Sequence, residues 1–430
     1  MKINSIRKGL VGEITVPGDK SISHRSIIIS SLSTGNSIIE NLLESEDVER
    51  TIEAFKNMGV NIIKKNNKYY VEGVGLKGLE KPKKPIDCGN SGTTARLLSG
   101  VLVGQKFDSI IVGDESLSMR PMDRIILPLS KMGAKIKGRM NKHLPICISP
   151  SQDKLKSINY ELPVASAQVK SAILLATLYA TGKTSIIENK VTRDHTERML
   201  EYFGCNVYRT NNVIYVDSNS VPVGKKIYVP GDISSASYFI VAATIIEGSN
   251  LTIRNVGINP TRSGIITVLR KMGADIKIVN KRELNNEPVG DIVVKHAPLK
   301  GIVVDEQIIG TLIDEIPILA VAASLSEGTT VIKDAEELKY KESNRLKTIY
   351  SELKKMGANI KMMGNDLIIE GVKELNAGKF DSYNDHRMAM ALSIAALKGN
   401  GQSEILGYKS VNISFPSFYK TLYSLCVSVK

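Results

Sequence analysis

At 430 residues the chain exceeds what a single hydrophobic core usually organises, so two domains of about 200 residues are the starting expectation. Its 42% hydrophobic and 23% charged residues suit an ordinary globular protein, and no apolar run reaches the roughly eighteen residues that a membrane span needs. The net charge of +13 comes with no tryptophan and 5% aromatics, which argues against the stacking platforms of nucleic-acid binders and favours a cleft for small polyanions.

The opening MKINSIRKGLVGEITVPGDK has neither the apolar core of a signal peptide nor the Arg/Ser-rich character of a transit peptide, so a cytoplasmic location is expected. Cys88, Cys147, Cys205 and Cys426 are far apart and the five histidines are scattered. Free thiols and no metal site follow.

In chain order, the first informative segment is PGDKSISHRS at 17–26. Lys20 and Ser21 at a helix start, with Arg25 one turn on, can hold a phosphate or carboxylate. Taken alone, an ordinary cap with solvated charges is the commoner occurrence. Next, Gly73–Gly78 matches G-x-G-x-x-G after the strand-like KYYVEG, but LEKPKKP follows and its prolines forbid the required helix. A surface turn is the better reading. CGNSGTTAR (88–96) places Asn90, Ser91, Gly92 and Thr93 before a helix, where a glycine lets backbone N–H groups approach an anion. Arg120 follows in SMRP.

VASAQVKS (164–171) brings Ser166, Ala167 and Gln168 to another helix start, and TRDHTE carries Arg193 to the next. Gly182-Lys183-Thr184 ends like a Walker A loop, yet the leading glycine would fall at Thr177, so no nucleotide site is read there. In the second half, Asp314 and Glu315 lead into the apolar stretch LIDEIPILAVAAS. Lys341, Glu342 and Arg345 lie in YKESNRL, where i, i+3 spacing puts Glu342 and Arg345 on one helix face, a pairing that is often only a surface salt bridge. Asp385, His386 and Arg387 enter the apolar NDHRMAMAL, and a charged triplet there needs partners.

Two repeats organise these pieces. MGV (58–60), MGA (132–134), FGC (203–205), MGA (272–274) and MGA (356–358) each close a helical stretch with a glycine and precede a strand-like run. FPSFYKTLYSLCVSV reads as a sixth, truncated copy. TVPGDKSIS and YVPGDISSAS share V-P-G-D-x-S half a chain apart and read as two crossings between domains, near 16–20 and 229–233. One domain is then continuous, 20–230, and the other joins 1–19 to 231–430. Three repeats per domain would gather three helix N-termini in each, an anion site on either side of a cleft.

PGDKSISHRS, GNSGTTARLL, SMRPM, SAQVKSA, TRDHTE, DEIP, KESNRL and DHRMAM, in this order across nearly the whole chain, resemble the 5-enolpyruvylshikimate-3-phosphate synthases of the enolpyruvyl transferase family. The resemblance implies an α/β (α+β) fold, a two-domain inverse α/β barrel of six βαβαββ units, three per domain, that closes on its substrates. It also implies transfer of the enolpyruvyl group of phosphoenolpyruvate to the 5-hydroxyl of shikimate 3-phosphate through a tetrahedral intermediate. The enzyme would be a monomer on the shikimate pathway to chorismate and aromatic amino acids, use no cofactor, and be a glyphosate target. By motif, Ser21, Arg25, Ser166, Ala167, Gln168, Arg193, Asp314 and Lys341 would bind shikimate 3-phosphate. Lys20, Gly92, Arg120, Gln168, Arg345, His386 and Arg387 would bind phosphoenolpyruvate. Asp314 would take the hydroxyl proton, Glu342 would protonate the enol methylene and later remove that proton, and Lys20 would assist the leaving phosphate.

Three positions depart from the family's pattern. Asp19 stands where some members have Ser, Ala167 replaces a second Ser and offers only backbone, and Ile413 stands where some members have a Lys before Phe-Pro. The sister reaction on UDP-N-acetylglucosamine is the nearest rival, but that family has Lys-Asn where this chain has Lys20-Ser21 and usually a mobile-loop Cys, which SLSMRPM lacks. A nucleic-acid-binding module is the rival of another class.

Overall fold

The computed structural model describes residues 1–427 and divides into two compact units. One is continuous, Gly18–Val229, and takes in Glu283–Glu287 as well; the other joins Met1–Pro17 to Pro230–Arg282 and to the chain from Pro288 onward. Each unit has its own hydrophobic core. No helix among the described residues is long and apolar enough to cross a membrane.

The five Met-Gly or Phe-Gly turns share one local cause. The helices Glu46–Asn57, Asp123–Lys131, His195–Tyr202, Gly264–Lys271 and Arg345–Lys355 are each followed by a buried Met or Phe and then a glycine with φ between 82° and 105°. One residue further on, an amide reaches back five residues: Val60 to Phe55 O at 3.0 Å, Ala134 to Leu129 O at 3.1 Å, Cys205 to Leu200 O at 2.9 Å, Ala274 to Leu269 O at 2.9 Å and Ala358 to Leu353 O at 3.0 Å. This is the Schellman arrangement, which needs a left-handed residue at the glycine and satisfies a carbonyl that the helix end would otherwise leave open. The segment read as a sixth copy forms the helix Phe418–Val427, three residues after its start at Phe415, and its last two residues lie outside the described residues.

The strands that follow form repeated sheets. The continuous unit holds three four-stranded sheets: Lys226–Tyr228, Thr34–Glu40, Lys68–Val74 and Ile62–Lys65; Ile86–Asp87, Ser109–Val112, His143–Ser149 and Lys135–Arg139; Asn159–Glu161, Lys183–Ile187, Val213–Asp217 and Val207–Thr210. In each the first pair is parallel and the others antiparallel. In the second and third sheets the parallel link needs a crossover, which a buried helix, Gly92–Leu102 or Ala167–Thr177, supplies. In the first sheet the parallel strand comes from the far end of the unit, with Lys226 opposite Ile38, so the last strand completes the first repeat.

The other unit follows the same plan. Val11–Thr15 runs parallel to Asn250–Gly257, which continues into Glu287–Lys295 and Asp275–Leu284, and Val303–Val304 opens a second sheet of four. The third has Lys379–Asp381 and Gln402–Leu406 in parallel, with Lys2–Asn4 added antiparallel from the chain start. Gly182 leads into the strand Lys183–Ile187, and after Gly78 the chain reaches the strand Ile86–Asp87 before any helix, so neither candidate phosphate loop exists.

Six helices are buried on nearly all sides: Lys20–Leu32, Gly92–Leu102, Ala167–Thr177, Ile233–Ile245, Ile316–Ser324 and His386–Leu397. Many of their interior hydroxyls donate within the helix to the carbonyl four residues back, as in Ser26 to Ile22 O at 2.9 Å, Thr177 to Ile173 O at 2.8 Å and Ser393 to Ala389 O at 2.7 Å. Buried helices can therefore carry polar residues without opening the core.

His24 is fully buried, its Nδ1 2.7 Å from Thr51 Oγ1, and Thr51, Thr94 and Ser91 continue the chain of hydroxyls at 2.7 Å per step. Burial, with Lys20 and Arg25 close by, pushes the imidazole well below 6.5. The unfolded chain takes up this proton near pH 6.5 and the folded chain does not, so acidification through that range favours unfolding. His24 alone is expected to contribute a loss of up to about 1.4 kcal/mol per pH unit below that value. Urea denaturation between about pH 7 and pH 5.5 checks this, with a shallower slope expected for His24→Gln; an unchanged slope would assign the acid sensitivity elsewhere.

Candidate active site

In the continuous unit, three buried helices begin one residue after a capping side chain. Asp19 Oδ1 accepts from the Ile22 amide at 2.8 Å, Ser91 Oγ from Thr94 at 3.3 Å and Ser166 Oγ from Val169 at 3.4 Å. Lys20, Gly92 and Ala167 are thus the first residues of their helices. Gln168 Nε2 donates to Thr93 Oγ1 at 3.0 Å, and Arg25 NH2 donates to Ser171 Oγ at 2.9 Å. Side chains near the helix starts therefore stand together, and the positive ends of the helices favour negative charge.

Arg25 is 3% exposed, and its hydrogen bonds run to neutral oxygens: Thr196 Oγ1 at 2.6 Å, Ser21 O at 2.8 Å and Ser171 Oγ. Burial, with nearby Arg193, outweighs the pull of Glu197 and Asp19 and lowers the guanidinium to about 10. A buried cation so held gains from an anion. Lys20 pairs with Asp47 at 2.9 Å. Arg120 NH2 donates to Asn90 Oδ1 at 2.6 Å, and Arg96 NH1 donates to Gln168 Oε1 at 2.7 Å. A Cβ on Gly92 would come within 2.9 Å of Arg96 NH1 and 3.6 Å of Arg120 NH1, so the glycine keeps two guanidinium groups close to the helix start. Arg193 is half-buried just ahead of the helix His195–Tyr202.

In the other unit the centre is Asp314, in the short 3-10 turn Ile313–Glu315. Lys341 Nζ lies 3.2 Å from its carboxylate, Arg345 NH1 3.3 Å, Arg387 NH2 3.7 Å and Arg262 NH1 3.9 Å. Arg345 also binds Asp385 Oδ2 through Nε at 2.8 Å and Glu342 Oε2 through NH2 at 2.5 Å. These carboxylates raise the guanidinium although burial opposes them. Asp385 caps the His386–Leu397 helix through the Arg387 amide at 2.9 Å; burial pushes its carboxyl up, but the charge and hydrogen bond of Arg345 together with His386 leave it below 3.8. Arg387 is raised as well, despite burial, by Asp314 first, then Tyr238 and Glu315.

One detail differs from the sequence reading. Glu342 lies before the helix Arg345–Lys355, which starts at Arg345, so the pair forms across a helix N-terminus rather than along a helix face. Asn344 takes the capping position, its side chain accepting from the Lys347 amide at 3.1 Å, while Glu342 pairs with Arg345. The cations here are matched by carboxylates of Asp232, Asp314, Glu315, Glu342 and Asp385, so this cluster carries both signs of charge.

Arg96 and Arg262 escaped the sequence reading. Arg96 sits one turn after Gly92 inside GTTAR, where its spacing was available as a signal. Arg262 is 3% exposed and donates to Asp232 Oδ1 at 3.2 Å and Ser234 Oγ at 2.6 Å. Nothing in NPTRSG announced it. Ile413 is half-buried at the end of the turn Tyr408–Ile413, just before buried Phe415.

Comparison with known proteins agrees along the chain's length. Residues 5–422 match the family model described as EPSP synthase (3-phosphoshikimate 1-carboxyvinyltransferase). A protein of Thermoanaerobacter sp. (strain X514) named 3-phosphoshikimate 1-carboxyvinyltransferase is 52% identical over 415 residues, covering 96% of this chain and 97% of its own. One of the same name from Desulforamulus reducens is 49% identical over 427 residues, covering 99% of each. The solved structure of EPSP synthase from Acinetobacter baumannii superposes with a TM-score of 0.89 at 44% identity, over 99% of this chain and 97% of that one. The repeated sheets, the helix starts and these matches lead to one conclusion, that the chain belongs to the EPSP synthase family.

Proposed function

We propose that this chain joins phosphoenolpyruvate to the 5-hydroxyl of shikimate 3-phosphate, forming 5-enolpyruvylshikimate 3-phosphate and inorganic phosphate. The hydroxyl oxygen adds to C2 of phosphoenolpyruvate while C3 gains a proton, giving a tetrahedral intermediate. Loss of that proton and cleavage of the bond from C2 to the phosphate oxygen then release phosphate. Asp314 accepts the hydroxyl proton, Glu342 gives and retakes the C3 proton, and Lys20 assists the leaving group. The observation that carries this reading is the junction of Asp314 with Lys341, Arg345 and Arg387, with Glu342 on the same guanidinium. It sets two carboxylates among cations, as divided acid and base work on anionic reactants requires.

Ser21, Arg25, Ser166, Ala167, Gln168, Arg193, Asp314 and Lys341 bind shikimate 3-phosphate in this reading; Lys20, Gly92, Arg120, Gln168, Arg345, His386 and Arg387 bind phosphoenolpyruvate. Arg25, buried among neutral oxygens, supports the first assignment. Gly92, held close to Arg96 and Arg120, supports the second. The enzyme works as a cytoplasmic monomer on free small anions. A phosphate-release assay with phosphoenolpyruvate and either shikimate 3-phosphate or UDP-N-acetylglucosamine tests the reading. Release with the first acceptor alone is expected. Release with the second, or with neither, overturns it.

A further inference from the structure

Lys170 lies on the helix Ala167–Thr177, two residues past Gln168, and its side chain is wholly buried. An ammonium removed from water is costly unless carboxylates replace its hydration. Here Glu188 Oε1 stands 2.9 Å from Nζ and Glu197 Oε1 2.6 Å. Glu188 Oε1 also accepts from the Thr192 amide at 2.9 Å and from the Thr192 hydroxyl, and its second oxygen pairs with Arg209 NH1 at 3.0 Å. Glu197 follows Thr196, whose hydroxyl accepts from Arg25 Nε at 2.6 Å and lies 2.6 Å from Ser171 Oγ. One ammonium therefore ties the residue before Arg193 and the residue after Thr196 to the helix that begins at Ser166 and Gln168.

We propose that Lys170 is a positioning residue for the phosphorylated acceptor, fixing the segment Thr192–Glu197 so that Arg193 and Arg25 present their guanidinium groups to one anion. Having no exposed surface, Lys170 acts through Glu188, Thr192 and Glu197. The inference rests on the site reading proposed above. If these charges served stability alone, neutralising Lys170 and Glu197 together would restore the parent in every respect. If they set position, the neutral pair restores the fold and leaves the anion poorly held.

The test compares Lys170→Met with the charge-balanced Lys170→Met/Glu197→Gln, varying shikimate 3-phosphate and phosphoenolpyruvate in turn and recording the thermal midpoint. In both variants KM for shikimate 3-phosphate is expected to rise about tenfold or more, since a displacement of about 1 Å is enough for such losses. KM for phosphoenolpyruvate stays within about twofold, because a positioning defect confined to one reactant leaves the other's binding intact. The thermal midpoint recovers only in the double variant. A parent-like KM for shikimate 3-phosphate in the double variant, or an equal rise in both KM values, overturns the inference. Should neither variant fold, Thr192→Val removes a single hydroxyl at nearly constant shape: a smaller, acceptor-selective rise supports the inference and a parent-like KM overturns it. An inactive parent would overturn the functional reading and this inference with it, whereas an active parent with unselective variants overturns this inference alone.

Discussion

Glu342→Gln is expected to lower turnover by about 10² to 10⁴-fold, the usual contribution of a general acid or base, while leaving substrate binding close to the parent's. The amide oxygen can still accept the bond that Arg345 NH2 now makes to Glu342 Oε2 at 2.5 Å, so the loop ahead of the helix Arg345–Lys355 keeps its place. What the amide cannot do is give a proton to a methylene carbon and take one back. Steady-state kinetics together with equilibrium binding of shikimate 3-phosphate separates the two effects. A variant within about threefold of the parent, well under a general-base contribution, removes Glu342 from the proton transfers. A variant that loses binding and turnover together would instead make Glu342 a partner that orients Arg345.

Arg345→Met should be among the most destabilising single changes, by about 3–5 kcal/mol, the range for removing one partner of a buried ion pair. Arg345 is 1% exposed and touches Asp314, Glu342 and Asp385. Methionine fills much of its volume, so the loss comes from charge: Asp385, which is itself buried, is left without the guanidinium that holds its carboxyl low. The unfolding midpoint should drop on the order of 10 °C for a unit of this size. Adding Asp385→Asn should return part of the loss, because the second change removes the carboxylate that the first one strands. A loss below about 1 kcal/mol would place this cluster with solvent-screened surface pairs, where such small values are normal.

Much of the architecture was legible because its signals are local. A Schellman turn closes within six residues and demands a left-handed glycine, so Met58-Gly59, Met132-Gly133, Phe203-Gly204, Met272-Gly273 and Met356-Gly357 announce helix ends without tertiary context. The starts at Asp19, Ser91, Ser166, Asp232 and Asp385 are equally local, since each cap bonds an amide two or three residues on. Site candidates sat beside these caps, so finding the helix starts largely found the candidates.

Tertiary structure decided what no short window contains. Lys226 pairs with Ile38 across 188 residues, and Lys2 with Glu404 across almost the whole chain, so which strand completes which repeat depended on how each unit closes. The hairpin tip Glu283–Glu287 belongs with the continuous unit rather than with its own strands, because Glu287 meets His195 Nδ1 at 2.7 Å and Asn286 O accepts from Arg198 at 2.9 Å. Sequence alone also left Arg262 and Lys170 as ordinary cations. Only packing shows that Arg262 meets Asp232 and Ser234, and that Lys170 is buried between Glu188 and Glu197. The physical reason is one of range: hydrogen bonds of caps and turns are set by neighbours along the chain, whereas the cost of burying a charge is set by partners that folding brings from elsewhere.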